Sequence, residues 1–253
     1  YAYVSKVKAN GQIDITFGNA GYVAFTTYFT FNDMVFEPGT QKIIVTGMKS
    51  VTKSTIARLH ANGFMDASFG TLGSTEVASG NSSTYYQIED IHIDYSNKYV
   101  ITGKYYTTMG IPTFTQVVVM RYETDGSLDH SFDTDGKVFL NSAATGSYEE
   151  GRKIFATINN DYYICCGSYV NGSNWNYGLV KLQSNGLVDH SFGSNGWRIY
   201  DLTNQGETEV LLNAEMMSNG NILMTGNQGS GDTVHFALLM VKPDGTVDHT
   251  FAP

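Results

Sequence analysis

The stretch Asn185–Gly196, which reads Asn-Gly-Leu-Val-Asp-His-Ser-Phe-Gly-Ser-Asn-Gly, decides the fold because it recurs along the chain. Five copies, complete or degraded, follow one another at intervals of about 50–60 residues. A fixed interval of this size is typical of repeat proteins, in which every repeat forms one supersecondary unit. The copies occupy residues 10–21, 62–73, 125–136, 185–196 and 244–253.

Three positions of this motif are kept in every copy. A glycine is followed three residues later by an aspartate, and three residues after that by a phenylalanine. The aspartates are Asp14, Asp66, Asp129, Asp189 and Asp248, and the phenylalanines are Phe17, Phe69, Phe132, Phe192 and Phe251. Glycine permits a positive φ, and aspartate accepts hydrogen bonds from the backbone just after it. We therefore expect a wide turn with a structural aspartate, and a phenylalanine that packs between neighbouring repeats.

Short strands fill the intervals between the copies. In the third interval the predicted strands are Lys137–Leu140, Lys153–Ile158, Tyr162–Gly167 and Gly178–Leu182. They are rich in β-branched and aromatic residues and bounded by Asn-Gly or Asp-Gly, and no window shows a sustained helical period. Four antiparallel strands in each repeat indicate a β-propeller blade, rather than a β-sandwich or a parallel β-helix. The sequence predicts an all-β chain that forms one β-propeller domain over residues 1–253, with about four four-stranded antiparallel blades.

The motif Asn-Gly-x-x-Asp-x-Ser/Thr-Phe-Gly-x-x-Gly resembles the delta-60 repeat, a bacterial repeat that is expected to build propellers. The Asp-x-Ser/Thr-Phe core is intact in all copies, while Asp133 and Ala252 replace the following glycine in the third and fifth. The resemblance extends over essentially the whole chain. It implies a fold and no activity, so it assigns no catalytic residues.

Composition narrows the classes of partner. The net charge is −9 and no basic cluster occurs, which argues against nucleic acid and anionic membranes as partners. No apolar run approaches the roughly 20 residues of a membrane helix, so membrane insertion is not expected. Charged residues make up only 15% of the chain, and Asn, Ser, Thr, Gly and Tyr take their place. We interpret this composition as extracellular or cell-surface.

Two sets of residues suggest metal or redox chemistry and have a simpler interpretation. Cys165 and Cys166 are adjacent, and neighbouring strand residues point to opposite faces, so we expect two buried thiols. Histidines follow three of the motif aspartates, but other residues take that position in the first two copies, so they are interpreted as turn residues. They are His130, His190 and His249.

A calcium ion is the one cofactor that the sequence suggests, and only faintly. The run Ser131–Gly136 contains Asp133 and Asp135 at a spacing like that of a calcium loop. It lacks the first aspartate and the distal glutamate of such loops, so a plain turn is the favoured interpretation. No other cofactor is expected.

The phase of the strands predicts where ligands bind. Asp33–Phe36 and its equivalents should line a central channel, with the regular turns on one face and irregular loops on the other. Aromatic rings beside amides on the irregular face suit sugar rings, although aromatic residues can also fold back onto the blades. The candidate ligand-binding residues are Tyr28, Tyr105, Tyr106, Asn174, Trp175 and Tyr177.

The function that we expect is a non-enzymatic adhesion or scaffold module whose partner is a protein or a surface glycan. One alternative is a lectin-like propeller that uses the irregular face. Another is a glycoside hydrolase, which would need two carboxylates that converge at a defined separation. The acidic residues on that face are Glu149, Glu150 and Glu207.

Ring closure is a further expectation. The last unit, Val210–Val241, supplies three strands, and Gly21–Phe25 could provide its missing outer strand. Such pairing would remove exposed strand edges. The alternative is an open part of a larger propeller.

Overall fold

The chain is all-β, as the sequence predicts. The computed structural model describes residues 2–25, 30–50, 53–77, 84–107, 115–142, 148–170, 174–203, 207–229 and 233–251. The strands in these ranges are β1 (Ala2–Ser5), β2 (Tyr22–Phe25), β3 (Thr30–Phe36), β4 (Ile43–Ser50), β5 (Lys53–Leu59), β6 (Ser74–Val77), β7 (Thr84–Ile93), β8 (Tyr99–Thr107), β9 (Thr115–Tyr122), β10 (Lys137–Leu140), β11 (Tyr148–Ala156), β12 (Tyr162–Val170), β13 (Asn174–Leu182), β14 (Trp197–Tyr200), β15 (Glu209–Met216), β16 (Ile222–Gln228) and β17 (His235–Val241). None of the described segments forms a helix of a length and hydrophobicity that could cross a membrane.

The strands pair with their neighbours in the sequence, in antiparallel meanders. We call β1–β2 the first hairpin, β3–β6 unit 1, β7–β10 unit 2, β11–β14 unit 3 and β15–β17 unit 4. A single parallel bridge, between Tyr148 of β11 and Thr115 of β9, joins units 2 and 3 into one eight-stranded sheet. In each of units 1 to 3 the motif lies between the third and fourth strands.

The blade arrangement differs from the predicted one. The sheets of the described residues have two, three, four and eight strands, so four separate four-stranded blades are not confirmed. The predicted closure is wrong for these residues, because β2 does not complete unit 4. Instead β2 pairs with β1, with Tyr3 opposite Ala24, and β17 pairs with β16 alone.

The hydrophobic core lies between successive units rather than inside one unit. Alternate residues of a strand point to opposite faces, so each strand contributes to the junction before it and to the junction after it. On β9, Val118 packs toward unit 1, in a cluster with Ile56, while Val119 packs toward unit 3, in a cluster with Ile154. Every one of these four side chains is buried. No unit therefore buries its own apolar surface alone.

The motif phenylalanine is the contact that repeats at every junction. Phe132 is fully buried, and its ring lies against the first glycine of the next motif copy, where a Cβ at Gly186 would lie 3.1 Å from the ring. The backbone adds a hydrogen bond from Asp133 N to Asn185 O at 2.6 Å. The same contact joins Phe17 to Gly63, Phe69 to Gly126 and Phe192 to Gly245. The expectation that this residue packs between repeats is met at these four junctions.

Replacing Phe132 with alanine tests the contact. We expect Phe132→Ala to lower the free energy of unfolding by about 3–5 kcal/mol, because it opens a cavity between units 2 and 3. Phe64→Ala, a change at an exposed phenylalanine of another motif copy, is the matched control and should change it by about 0.5 kcal/mol or less. Urea denaturation followed by tryptophan fluorescence measures both. Equal losses in the two variants would contradict the assignment.

Candidate functional site

The motif aspartate closes the turn that follows it. Asp129 Oδ1 accepts hydrogen bonds from the hydroxyl of Ser131 at 2.6 Å and from its backbone N at 3.0 Å. Asp189 does the same with Ser191, at 2.5 and 3.1 Å. The other pairs are Asp14 with Thr16, Asp66 with Ser68, and Asp248 with Thr250. This shared geometry explains why a hydroxyl residue occupies the second position after every motif aspartate.

The other carboxylate oxygen binds a basic residue on the preceding strand. Arg121 Nε donates to Asp129 Oδ2 at 2.6 Å, and Lys181 Nζ donates to Asp189 Oδ2 at 2.8 Å. Equivalent pairs are Arg58 with Asp66 and Lys6 with Asp14. In unit 4 the basic residue is replaced by Met240, and Asn221 Nδ2 donates to Asp248 at 3.0 Å.

Two junctions extend this pair into a network between units. Arg121 Nη1 donates to the hydroxyl of Tyr162 at 3.0 Å and to Ser184 O at 2.7 Å, both on unit 3. The Tyr162 hydroxyl donates back to Asp94 of unit 2 at 2.8 Å. The corresponding residues between units 1 and 2 are Arg58, Tyr99, Thr124 and Glu37. Both arginines are buried, so the hydrogen bonds also compensate the cost of removing a charge from water.

These bonds hold the aspartates ionised. Burial opposes the shift at Asp129, but hydrogen bonds from Lys98 and Ser131 lower the pKa of its carboxyl well below the ordinary value. At the more exposed Asp189, hydrogen bonds from Lys181 and Ser191 lower the pKa to about 2. A carboxylate held in this way is stabilised as a structural acceptor and is poorly suited to release or take up a proton near neutral pH.

Two of the aromatic candidates, Tyr106 and Trp175, lie at the opposite end of the strands from the motif. Tyr106 pairs with Thr115 at the end of β8, and Trp175 pairs with Tyr169 near the start of β13. Lys181, which binds Asp189, lies at the other end of β13. The predicted phase is therefore correct for Tyr106 and Trp175. Their expected position in irregular loops is wrong, because both residues belong to strands.

The structure separates these candidates into two groups. On unit 2, Tyr105 packs against Phe139 at 4.9 Å between ring centroids, and Tyr106 packs against Tyr85 at 5.4 Å. On unit 3, Trp175 packs against Tyr169 at 5.7 Å. Asn174 pairs with Val170 in the ladder beside Trp175. Tyr28 lies outside the described residues.

Tyr177 is not part of an exposed surface. Its ring is fully buried in the core between units 3 and 4, beside Leu211. The sequence predicted it on the irregular face, directly before the predicted strand Gly178–Leu182. Unit 4 covers this position of β13. The local sequence around Tyr177 does not indicate this burial, because the covering strand is distant in the chain.

A recess of about 230 Å³ adjoins Trp175. Its other walls are Glu150, Arg152, Gly167 and Leu211. Glu150 accepts hydrogen bonds from Lys104 at 2.7 Å and from Arg152 at 2.6 Å. Arg152 Nε is buried and has no hydrogen-bond partner among the described residues. An aromatic ring, a carboxylate and a guanidinium donor therefore meet in one place.

A larger cavity of about 1030 Å³ is lined by the first strands of all four units. The prediction that Asp33–Phe36 lines a central channel is met by Asp33, Met34 and Val35. Sequence reasoning gave no role to the charged residues here. Asp33, Asp90 and Lys153 occupy equivalent positions beside the β-bulge in β3, β7 and β11, the first strands of three successive units.

The charged residues of this cavity bind one another across unit boundaries. Asp90 Oδ2 accepts a hydrogen bond from Ile154 N at 2.8 Å, and Oδ1 accepts one from Lys153 Nζ at 2.6 Å. Asp33 Oδ2 accepts one from Ile91 N at 3.3 Å. Burial and the neighbouring Asp33 raise the pKa of Asp90, while Lys153 opposes this shift. Each aspartate thus joins its own unit to the inner strand of the next one.

The candidate metal and thiol residues occupy ordinary structural settings. Asp135 accepts a hydrogen bond from Lys137 N at 3.2 Å, and Asp133 adopts a φ of 53° at the position where the first, second and fourth copies have glycine. Across the described ranges, no group of three or more His, Cys, Asp or Glu side chains is placed to hold a metal ion. Cys165 and Cys166 are free and fully buried, and burial raises the pKa of both thiols.

Comparisons with known proteins agree with the repeat architecture. A family model described as "Domain of unknown function (DUF5122) beta-propeller" matches residues 96–132, which run from the turn before β8 into the third motif copy. This short match supports a β-propeller repeat family, and the delta-60 assignment stays a prediction. No curated protein is similar enough in sequence to count as a match.

One similar solved structure is the endo-arabinase from Bacteroides thetaiotaomicron VPI-5482. It is 12% identical, with a TM-score of 0.48, and the similarity covers 86% of this chain and 79% of the enzyme. A likeness at this level transfers no activity to the present chain.

Acid titration tests the role of the motif aspartate. Because the folded-state pKa of Asp189 lies below its ordinary value of 3.8, the carboxylate stabilises the fold at neutral pH, and this contribution is lost as the pH falls from about 4 to about 2. We expect Asp189→Asn to have a lower Tm at neutral pH and a shallower fall of Tm across that window than the unchanged chain.

Asp135→Asn is the control for this titration, because the Asp135 carboxylate accepts only a backbone hydrogen bond in an exposed turn. It should retain the pH dependence of the unchanged chain. A fall of Tm in Asp189→Asn that is as steep as in the unchanged chain would contradict the structural role of the Asp189 carboxylate.

Proposed function

We propose that this chain is a non-enzymatic β-propeller that acts outside the cell as a binding scaffold, in adhesion or in the assembly of a surface structure. In this proposal each of the four units is one blade, and unit 4 is a blade with three strands. The low fraction of charged residues, 15%, and the abundance of Asn, Ser, Thr and Gly support the extracellular location.

The observation that carries the non-enzymatic part is that two carboxylates of the large cavity, Asp33 and Asp90, are engaged in structural hydrogen bonds. General acid–base catalysis needs a carboxyl group that reaches the substrate and exchanges a proton with it. Asp33 and Asp90 instead accept hydrogen bonds from backbone N–H groups of the next inner strand. Glu149, one of the three acidic residues that the hydrolase alternative considers, is fully buried and accepts two hydrogen bonds from Ser142. These carboxyl groups act as connectors between strands.

Turnover assays test this part of the proposal. The chain is incubated with a panel of chromogenic aryl glycosides, including α-L-arabinofuranosides, and with arabinan and xylan. We expect no release of product above the buffer control, because Asp33 and Asp90 already accept hydrogen bonds from the backbone of the next inner strand. Turnover that disappears in Glu149→Gln or Asp90→Asn, with an unchanged circular dichroism spectrum, would replace the proposal with the glycoside hydrolase alternative.

A specific observation also favours the lectin-like alternative, in which the scaffold binds its partner through a glycan. The recess beside Trp175 combines an aromatic ring with the Glu150 carboxylate and the Arg152 guanidinium. Sugar rings stack their apolar face on aromatic rings, and their hydroxyl groups bond to charged and amide groups. We propose that a glycan of the partner surface binds here, between units 3 and 4.

Replacement of Trp175 tests the glycan site. On a glycan array, followed by calorimetry with the best glycan, we expect Trp175→Ala to weaken binding by about tenfold or more, because the stacking surface is removed. Tyr95→Ala, a change at an exposed aromatic residue that follows β7 at the motif end of the strands, is the control and should bind as the unchanged chain does. Absence of binding to every glycan, or equal binding by Trp175→Ala, would contradict the proposal that a glycan binds in this recess.

A further inference from the structure

A row of mostly aromatic residues crosses the sheet of units 2 and 3, at the end of the strands opposite the motif. Each member lies directly opposite the next in the strand pairing, and residues paired in this way share one face of a sheet. The step between the two units is the parallel bridge from β9 to β11. The members of this aromatic row are Tyr85 on β7, Tyr106 on β8, Thr115 on β9, Tyr148 on β11, Tyr169 on β12 and Trp175 on β13.

Neighbouring rings of the row are in contact within each unit. The distances between ring centroids are 5.4 Å for Tyr85 and Tyr106, 5.7 Å for Tyr148 and Tyr169, and 5.7 Å for Tyr169 and Trp175. Every member of the row is half-buried, so a part of each residue is exposed to solvent. The backbone register thus joins two packed aromatic groups into one partly exposed surface.

The fold does not require aromatic residues at these positions. Counted from the β-bulge of the first strand, Tyr85 and Tyr148 are equivalent, and the same position in unit 4 is Thr208. Gly229 N donates a hydrogen bond to Thr208 O at 3.0 Å, so glycine stands opposite this threonine. Units 2 and 3 have a tyrosine in that place. Strand pairing alone therefore does not account for their two tyrosine pairs.

Polar side chains lie beside the aromatic row on the same face. Lys104 of β8 and Glu150 of β11 are each two residues closer to the motif than the tyrosine of their strand, and alternate residues share a face. Lys104 Nζ donates to Glu150 Oε1 at 2.7 Å, across the boundary between units 2 and 3. Gln87 lies opposite Lys104, and Arg152 Nη2 donates to Glu150 Oε2 at 2.6 Å. Amide, ammonium, guanidinium and carboxylate groups therefore follow the row.

We infer that the aromatic row binds an extended linear glycan, with successive sugar rings lying along the strands of units 2 and 3. The inference rests on the proposed function and extends it, because the recess beside Trp175 becomes the last of several subsites. Sugar rings stack their apolar faces on the aromatic residues, and their hydroxyl groups bond to the polar side chains beside the row.

The spacing of the row identifies the class of glycan. Neighbouring strands are about 4.8 Å apart, and a β-linked pyranose residue in an extended chain has a comparable length. At this spacing the row has room for about five or six sugars. A proline-rich helix fits less well, because it repeats after three residues, or about 9 Å, and would meet only every second position.

Affinity as a function of glycan length tests the row. Calorimetry is carried out with cello-, xylo- and manno-oligosaccharides of increasing length. We expect the dissociation constant of the best series to fall by about tenfold or more from the disaccharide to the hexasaccharide, because each added sugar meets a further position of the row. Longer oligosaccharides should bind as the hexasaccharide does, since the row then has no position left.

Tyr106→Ala separates the row from the recess, because Tyr106 belongs to unit 2 and the recess lies between units 3 and 4. We expect it to weaken hexasaccharide binding by about tenfold and to leave disaccharide binding within about twofold. Trp175→Ala should weaken both. Tyr95→Ala, at an exposed aromatic residue at the motif end of the strands, is the control and should change neither.

Circular dichroism verifies that each variant is folded. If Tyr106→Ala does not fold, Tyr85→Thr replaces it with the same expected result, because threonine holds the equivalent position in unit 4.

The outcomes distinguish this inference from the proposal on which it rests. Binding that depends on Trp175 but not on glycan length or on Tyr106 would overturn the row and leave the recess. Absence of binding to every oligosaccharide would overturn both. Binding of decaproline that is lost in Tyr106→Ala, in place of any glycan, would assign the row to a proline-rich peptide and overturn the inference.

Discussion

The contact between a motif phenylalanine and the first glycine of the next motif is the constraint on which the rest of the structure depends. The phenylalanine and the glycine belong to different repeats, so no unit completes its core alone. The distance between motif copies is fixed by the sheet that lies between them. A Cβ at Gly126 would lie 3.0 Å from the Phe69 ring and 2.8 Å from Thr75 Oγ1. Only glycine allows both the close approach and the positive φ, which explains why this position does not vary.

The polar interactions around this contact are more tolerant of change. Between units 2 and 3, Arg121 bonds to the Tyr162 hydroxyl, but unit 3 has Lys181 in place of arginine. There the hydroxyl of Tyr163 donates at 2.6 Å to Pro243 O, the carbonyl that corresponds to the Ser184 O bound by Arg121. Several hydrogen-bond patterns therefore meet the same need, which is to pair the buried backbone and charged groups around the ring. The apolar contact specifies the junction, and the polar network adapts to it.

The sequence predicted features that are local and repeated, such as strands and turns. It did not predict features that depend on contacts between distant strands. The strand Lys137–Leu140 was predicted with the bounds that it has, because the motif glycine Gly136 directly precedes it. The strand predicted as Tyr162–Gly167 extends to Val170, since Tyr169 packs across the ladder on Trp175 and prolongs the pairing. The cavity aspartates bond to strands about 60 residues away, as Asp90 does to Ile154. No local pattern encodes such a bond. The sequence could therefore predict at which end of the strands the candidate site lies, but not which residues its side chains contact.

The rigidity of the candidate site follows from the same constraint. A side chain is held rigidly where the junctions on both sides of its unit are filled, because each filled junction restricts the rotamers of the residues that it covers. Unit 3 meets this condition, with Phe132 packed on it from unit 2 and Phe192 packed from it on unit 4. Trp175 and Arg152 belong to this unit. The recess that they form is therefore pre-organised by the fold, and binding there does not have to order the strands first.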